Sequence, residues 1–240
     1  MPEERKLVTI LFADVTGSTA LGDELDPEDL RTLMGRYYAH ARQIIMAHGG
    51  TLEKFIGDAV MAVFGLPRAH GDDAERALAA ALALRQAVED DPLLPPAFRL
   101  RIGVNSGEVV ATGDSSQGDF LVTGDAVNVA ARLQQGAAPG EILVSERTMQ
   151  ASRLAFLFGP AREVTVKGKP QPLRVFPLEA ARSRRLLELP PFVGRQRDLE
   201  QLQLLLERTC EERRPYCLSL IGPAGSGKTR LLAAFLDLLA

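Results

Sequence analysis

Apolar positions recur with two different periods along this chain. Residues 6–13 (Lys-Leu-Val-Thr-Ile-Leu-Phe-Ala) are almost continuously apolar, as in a buried strand. Over residues 28–48 the period changes to three and four. Leu30, Leu33, Met34, Tyr37, Tyr38, Ala41, Ile44 and Ile45 share one face, which predicts a helix ending at His48-Gly49-Gly50. Thr51–Phe64 reads as two short strands about the Gly57-Asp58 turn, and Asp72–Val88 as an alanine-rich helix. Phe98–Thr112 is strand-like but interrupted at Asn105-Ser106-Gly107, and Gly113–Gly118 is a polar loop. Ala126–Gln135 predicts a helix and Glu141–Val144 a short strand, with further strands near 154–158, 162–166 and 173–178. Strands and helices that mix without strict alternation indicate an α+β layered architecture.

After this region the pattern changes. Ala180–Glu188 is basic and helix-prone, and Leu189-Pro-Pro-Phe192 breaks it. Residues 197–213 predict a helix with Leu199, Leu202, Leu205 and Leu206 on one face. A strand at Tyr216–Ile221 and an apolar helix running to the end of the chain follow. The expected domains are therefore 1–180 and 192–240, joined by a linker at 181–191.

Bulk properties narrow the function classes. A net charge of −3 over 240 residues argues against a general nucleic-acid or membrane-surface binder. Two cysteines, Cys210 and Cys217, are too few for a disulfide framework, and the N-terminal residues lack the apolar core of a signal peptide. No run approaches the roughly 20 apolar residues that span a bilayer. The expected location is the cytoplasm.

The chemistry concentrates in a few segments. Leu11-Phe-Ala-Asp-Val-Thr-Gly-Ser-Thr19 and Lys54-Phe-Ile-Gly-Asp-Ala-Val-Met61 each bring an aspartate to the end of an apolar run. Asp14 leads into Gly17, Ser18 and Thr19, a turn that lets a phosphate approach the backbone beside a helix N-terminus. Two such carboxylates suit a divalent cation carrying a triphosphate, although Asp14 alone is also a good helix N-cap and Gly57-Asp58 a common hairpin turn. Lys54 is either a solvated strand lysine or a donor to a purine ring nitrogen; an ammonium suits the unprotonated N1 of adenine, not the N1–H of guanine. Asn128 and Arg132 are four apart on the predicted helix. They form either a solvent-facing stripe or, with Val127 and Val129 beside Asn128, a pair near a buried surface that holds a ribose and balances charge on a phosphate.

Together these segments, with Arg101-Ile-Gly-Val-Asn-Ser-Gly-Glu108, Gly124–Leu133 and Val166-Lys-Gly-Lys169, resemble the catalytic domain of class III adenylyl and guanylyl cyclases over roughly residues 5–178. The resemblance implies a ferredoxin-like cyclase fold, with a mostly antiparallel central sheet and flanking helices. It implies that Asp14 and Asp58, with Val15, hold two Mg²⁺ or Mn²⁺ ions per site. Gly17, Ser18 and Thr19 match the phosphate turn and Lys54 the purine reader. Asn128 matches the ribose-orienting residue, Arg132 the transition-state arginine, and Lys167 (or Lys169) the lysine that reaches the triphosphate. It implies ATP as substrate and a head-to-tail homodimer, one chain giving the aspartates and the other Lys54, Asn128 and Arg132. The sequence departs from the adenylyl pattern at Leu121, seven residues before Asn128, where an Asp or Thr usually accepts from the adenine amino group; Asp119 and Thr123 flank it. A catalytically idle module that regulates an ATPase, or a cyclase of relaxed or guanylyl specificity, are the alternative readings.

Gly222-Pro-Ala-Gly-Ser-Gly-Lys-Thr229 is a full P-loop pattern, with Gly222, Gly225, Gly227, Lys228 and Thr229 at its phosphate-binding positions. Phe192-Val-Gly-Arg195 resembles the start of ATPase modules found behind cyclase domains. The acidic strand that would complete a magnesium site does not occur before residue 240, so this α/β segment reads as truncated and is not expected to hydrolyse ATP.

Overall fold

The structure is a computed structural model. It describes residues 4–17, 25–114, 119–164, 172–182, 192–223 and 225–238, with only the backbone for 112–114, 119–121 and 237. The chain divides into two units, Met1–Ser183 and Arg184–Ala240.

The first unit is built on a nine-stranded sheet. Its strands are β1 (Glu4–Thr16), β2 (Thr51–Ile56), β3 (Ala59–Phe64), β4 (Arg99–Asp114), β5 (Asp119–Thr123), β6 (Ile142–Ser145), β7 (Phe156–Phe158), β8 (Arg162–Val164) and β9 (Leu173–Ala181). They lie in the order β2-β3-β1-β4-β6-β9-β7, with β5 on β4 and β8 on β9. Among the described residues only the β4–β6 pairing is parallel. Helices α1 (Pro27–Ala47) and α2 (Asp73–Glu89) connect β1 to β2 and β3 to β4, giving the β-α-β-β-α-β order of the ferredoxin-like fold.

Alternation along β1 distributes its side chains between two cores. Leu11, Ala13 and Val15 pack with Tyr37, Ala41 and Ile45 of α1 and with Ala77, Leu78, Ala81 and Leu84 of α2. Ile10 and Phe12 face the other side, where Ala126 and Ala130 of α3 (Asp125–Gly136) cover the sheet. Asp14 continues the second set, so it emerges at the sheet end on the face that α3 covers. Gly103 of β4 makes this approach possible. A Cβ there would lie 2.4 Å from the Ala130 carbonyl oxygen and 2.3 Å from the Gln134 backbone nitrogen.

Several expectations need correction. β4 runs unbroken through Asn105-Ser106-Gly107, each paired to β1, and takes in Gly113 and Asp114. The polar residues fit inside because they are satisfied. The Asn105 amide donates to the Ala126 carbonyl, and the Ser106 hydroxyl bonds those of Thr9 and Thr148. β5 and the short helix α4 (Glu146–Ser152), capped by Ser145, were not anticipated. β9 extends through Ala181 into the start of the helix-prone stretch; the rest of that stretch lies outside the described residues.

In the second unit, α5 (Gln196–Glu212) and α6 (Lys228–Asp237) pack through Leu199, Leu202, Leu231 and Ala234. Tyr216–Ile221 does not form the expected strand. A strand needs a hydrogen-bonded neighbour, and among the described residues nothing pairs with this segment, so Ile221 is 94% exposed.

Candidate active site

Asp14 sits at the end of β1 with its side chain mostly buried. Its Oδ2 accepts from Arg101 Nη2 on β4 at 2.7 Å and from Gln134 Nε2 on α3 at 2.9 Å. Its Oδ1 is buried and takes no hydrogen bond among the described residues. Burial raises the Asp14 carboxyl above the usual aspartate range, Arg101 opposes this, and the nearby Asp58 charge adds to it. Two carboxylates held close, one with an orphaned oxygen, form a pocket of negative charge that a cation would relieve. Among the described residues no group of three or more His, Cys, Asp or Glu gathers as a metal site, at these two aspartates or elsewhere.

Two adjacent tyrosines set the backbone at both aspartates. The Tyr37 hydroxyl donates to the carbonyl of Ala13 at 3.0 Å, and the Tyr38 hydroxyl to that of Gly57 at 2.6 Å. Each carbonyl belongs to the residue just before an aspartate, so each bond fixes the peptide plane from which that aspartate projects. Burial raises both phenols above their ordinary range, so both stay protonated donors. Tyr37 and Tyr38 were legible only as apolar positions on α1. Tyr38 is the cleaner probe, because its ring is half-buried and the freed Gly57 carbonyl can rehydrate. Tyr38→Phe is expected to leave the fold intact and raise the Mn²⁺ concentration needed for half-saturation about two- to tenfold, the worth of one hydrogen bond. Titration of the purified variant by Mn²⁺ electron paramagnetic resonance measures this.

Lys54 lies on β2 and pairs with its neighbour Glu53 at 3.1 Å. Asn128 and Arg132 are both exposed on α3, so the solvent-facing alternative describes them and the buried-surface reading of Asn128 does not hold within one chain. Arg132 donates to Gln135 at 2.7 Å. The opposite face of α3 carries Ala130, Leu133 and Gln134 into the protein. The helix therefore presents Gln134 to Asp14 while turning Asn128 and Arg132 outward. Gly17 adopts a positive φ of 72° after β1. Ser18, Thr19 and Lys167 lie outside the described residues, and Leu121 is described only by its backbone in β5.

A family model for the adenylate and guanylate cyclase catalytic domain matches residues 1–180. The chain belongs to this family. The similarity extends to solved class III cyclases. The adenylyl cyclase CyaB from P. aeruginosa matches with a TM-score of 0.69 and 28% identity, covering 76% of this chain and 98% of that one. The guanylyl cyclase Cya2 matches with a TM-score of 0.71 and 28% identity, covering 78% and 98%. An uncharacterised protein of Mycobacterium tuberculosis is 32% identical over 180 residues, 72% of this chain and 32% of its own length. The chain thus spans about a third of the length of the curated relatives it matches.

Within this cyclase domain, Arg101, Gln134, Tyr37 and Tyr38 are the site residues that sequence reasoning missed. Arg101 stood inside a quoted motif, but nothing in spacing alone tied it to Asp14. In the second unit, an AAA ATPase domain model matches residues 191–240. Gly225 and Gly227 take positive φ values of 79° and 78°. Lys228 Nζ donates to the carbonyls of Gly222 and Pro223, both at 2.8 Å, while Arg195 holds the Ser226 carbonyl at 2.9 Å. The lysine thus folds onto its own loop, and Thr229 is exposed at the start of α6. No helix among the described residues is long and apolar enough to cross a membrane.

Proposed function

We propose that residues 1–180 convert ATP to 3′,5′-cyclic AMP and pyrophosphate, acting as a head-to-tail homodimer with two sites. The observation that carries this reading is the division of labour on α3. One chain presents Asp14 beside Gln134, with Asp58 near Asp14, while Asn128 and Arg132 face outward, so a second copy is needed to bring all four groups together.

The residues fit a divalent cation. Asp14 Oδ1 takes no hydrogen bond among the described residues, and the Asp58 charge adds to the cost of ionising Asp14. Asp14, Asp58 and the backbone at Val15 would hold two Mg²⁺ or Mn²⁺ ions. When bound, the ions would neutralise the triphosphate and lower the pKa of the ribose 3′-hydroxyl. With the 3′-hydroxyl proton passed to solvent, O3′ bonds the α-phosphorus while the bond to the pyrophosphate oxygen breaks and pyrophosphate leaves. Asn128 orients the ribose. Arg132 balances the charge that builds on the phosphorus centre. The turn at Gly17–Thr19 and Lys167 meet the β- and γ-phosphates. Lys54 donates to adenine N1. A substrate of the cytosolic nucleotide pool and two exposed free cysteines support a cytoplasmic setting.

Relaxed specificity is the second reading, favoured by Leu121, which offers no side-chain acceptor to the adenine amino group. The fold does not choose the base, since an adenylyl and a guanylyl cyclase match it equally well in identity. Incubation of the purified chain with ATP or GTP and Mn²⁺ or Mg²⁺ tests both points. ATP is expected to be preferred in kcat/KM by about tenfold or less, because one base-reading hydrogen bond is missing. A GTP preference would overturn the adenylyl assignment. No cyclic product from either nucleotide with either metal would overturn the cyclase assignment.

A further inference from the structure

The register of β2 against β3 shifts between Leu52 and Lys54, leaving Glu53 as the extra residue of a bulge. In a regular strand Glu53 and Lys54 would point to opposite faces. Here the bulge lets the carboxylate Oε1 meet Lys54 Nζ, with the Glu53 side chain 5% exposed and that of Lys54 41% exposed. The same Oε1 accepts from the backbone N–H of Val122 on β5 at 3.4 Å. That amide joins Val122 to Leu121, the position that lacks an acceptor. Oε2 of Glu53 is buried and has no hydrogen-bond partner among the described residues. A buried carboxylate so lightly satisfied is costly to keep, and a donor-rich neighbour would lower that cost.

We infer that Glu53 sets the purine preference of this site, a reading that rests on the nucleotide site proposed above. It acts in two ways. By holding one of the three ammonium donors of Lys54, it fixes the lysine where another can reach the unprotonated N1 of adenine. By placing negative charge beside β5, it favours a 6-amino group, which presents hydrogen, over the 6-oxo group of guanine, which presents a lone pair. Glu53 is thus a positioning and specificity residue that offsets the missing acceptor at Leu121.

The test uses the full 240-residue chain and two analogues that lack the attacking hydroxyl, 3′-deoxy-ATP and 3′-deoxy-GTP, with Ca²⁺ present and binding followed by calorimetry. The wild type is expected to prefer 3′-deoxy-ATP. Glu53→Gln keeps the shape and an acceptor for the Val122 amide but removes the charge. It should cut that preference about tenfold, chiefly by weakening the adenine analogue. Glu53→Asp, which keeps the charge, should stay closer to wild type. A structural role would weaken both analogues alike, so an unchanged ratio in Glu53→Gln overturns the inference. Equal binding of the two analogues by the wild type also overturns it while leaving the cyclase reading in place. Binding of neither analogue by the wild type instead overturns the nucleotide site itself.

Discussion

Alanine at Asp14 or at Asp58 is expected to abolish cyclic nucleotide formation, by about a thousandfold or more, while the protein stays folded. Asp14 ends a strand whose remaining residues are packed by α1, α2 and α3, so the strand does not depend on its carboxylate. In the absence of metal that carboxylate is a burden, with its pKa raised by burial and by Asp58 and with Oδ1 unpartnered. Removing it leaves the Arg101 and Gln134 donors without their acceptor, so the melt should fall by a few degrees, but packing on both faces of β1 keeps the protein folded. Removing it from the reaction forfeits several kcal/mol of transition-state charge stabilisation, and each 1.36 kcal/mol is about tenfold in rate. Product assays at matched Mn²⁺, with circular dichroism melts of the same samples, check both halves. Substantial product from either variant would remove the aspartates from the catalytic assignment.

Gly103→Ala should fail for the opposite reason. The new methyl would meet backbone atoms of α3, the Ala130 oxygen at 2.4 Å and the Gln134 nitrogen at 2.3 Å, and backbone cannot rotate aside as a side chain can. Overpacking of this kind costs about 1–3 kcal/mol. For a unit of this size that corresponds to a fall of about 2–12 °C in Tm. The same displacement moves Gln134 off Asp14 and shifts Asn128 and Arg132 together, so activity should drop even in the folded fraction. A thermal midpoint equal to wild type would show that α3 does not sit on β4 as described.

The sequence was most readable where one periodicity ran long. β1, α1, the hairpin around Asp58 and α3 follow directly from it, because α1 and α3 each bury one face and β1 and β3 are buried on both. The bounds slipped where polar residues are satisfied internally. Asn105 and Ser106 looked like a break in β4, yet their bonds to Ala126, Thr9 and Thr148 let the strand continue. α4 was too short to show a period, and its cap at Ser145 resembles any strand-ending serine. The reverse failure is Tyr216–Ile221, whose apolar run promised a strand that has no neighbour to pair with. At the site, carboxylates and the α3 pair stood out by residue type and order. Their supports did not. Tyr37, Tyr38, Arg101 and Gln134 matter because of what they touch across 19 to 120 positions of sequence separation, and no local pattern encodes that.

The proposed catalytic site is shared between two chains. Asp58→Ala and Arg132→Ala should each be inactive alone, since every site in either homodimer lacks one group. Mixed after subunit exchange, they form heterodimers in which one site carries both defects and the other carries neither. With free exchange half of the dimers are mixed, and each has one of two sites intact, so activity should return to about a quarter of wild type. Exchange is verified independently by co-purification of differently tagged chains. Recovery near that level is the predicted result; verified exchange with no recovery of cyclic nucleotide would contradict the shared site.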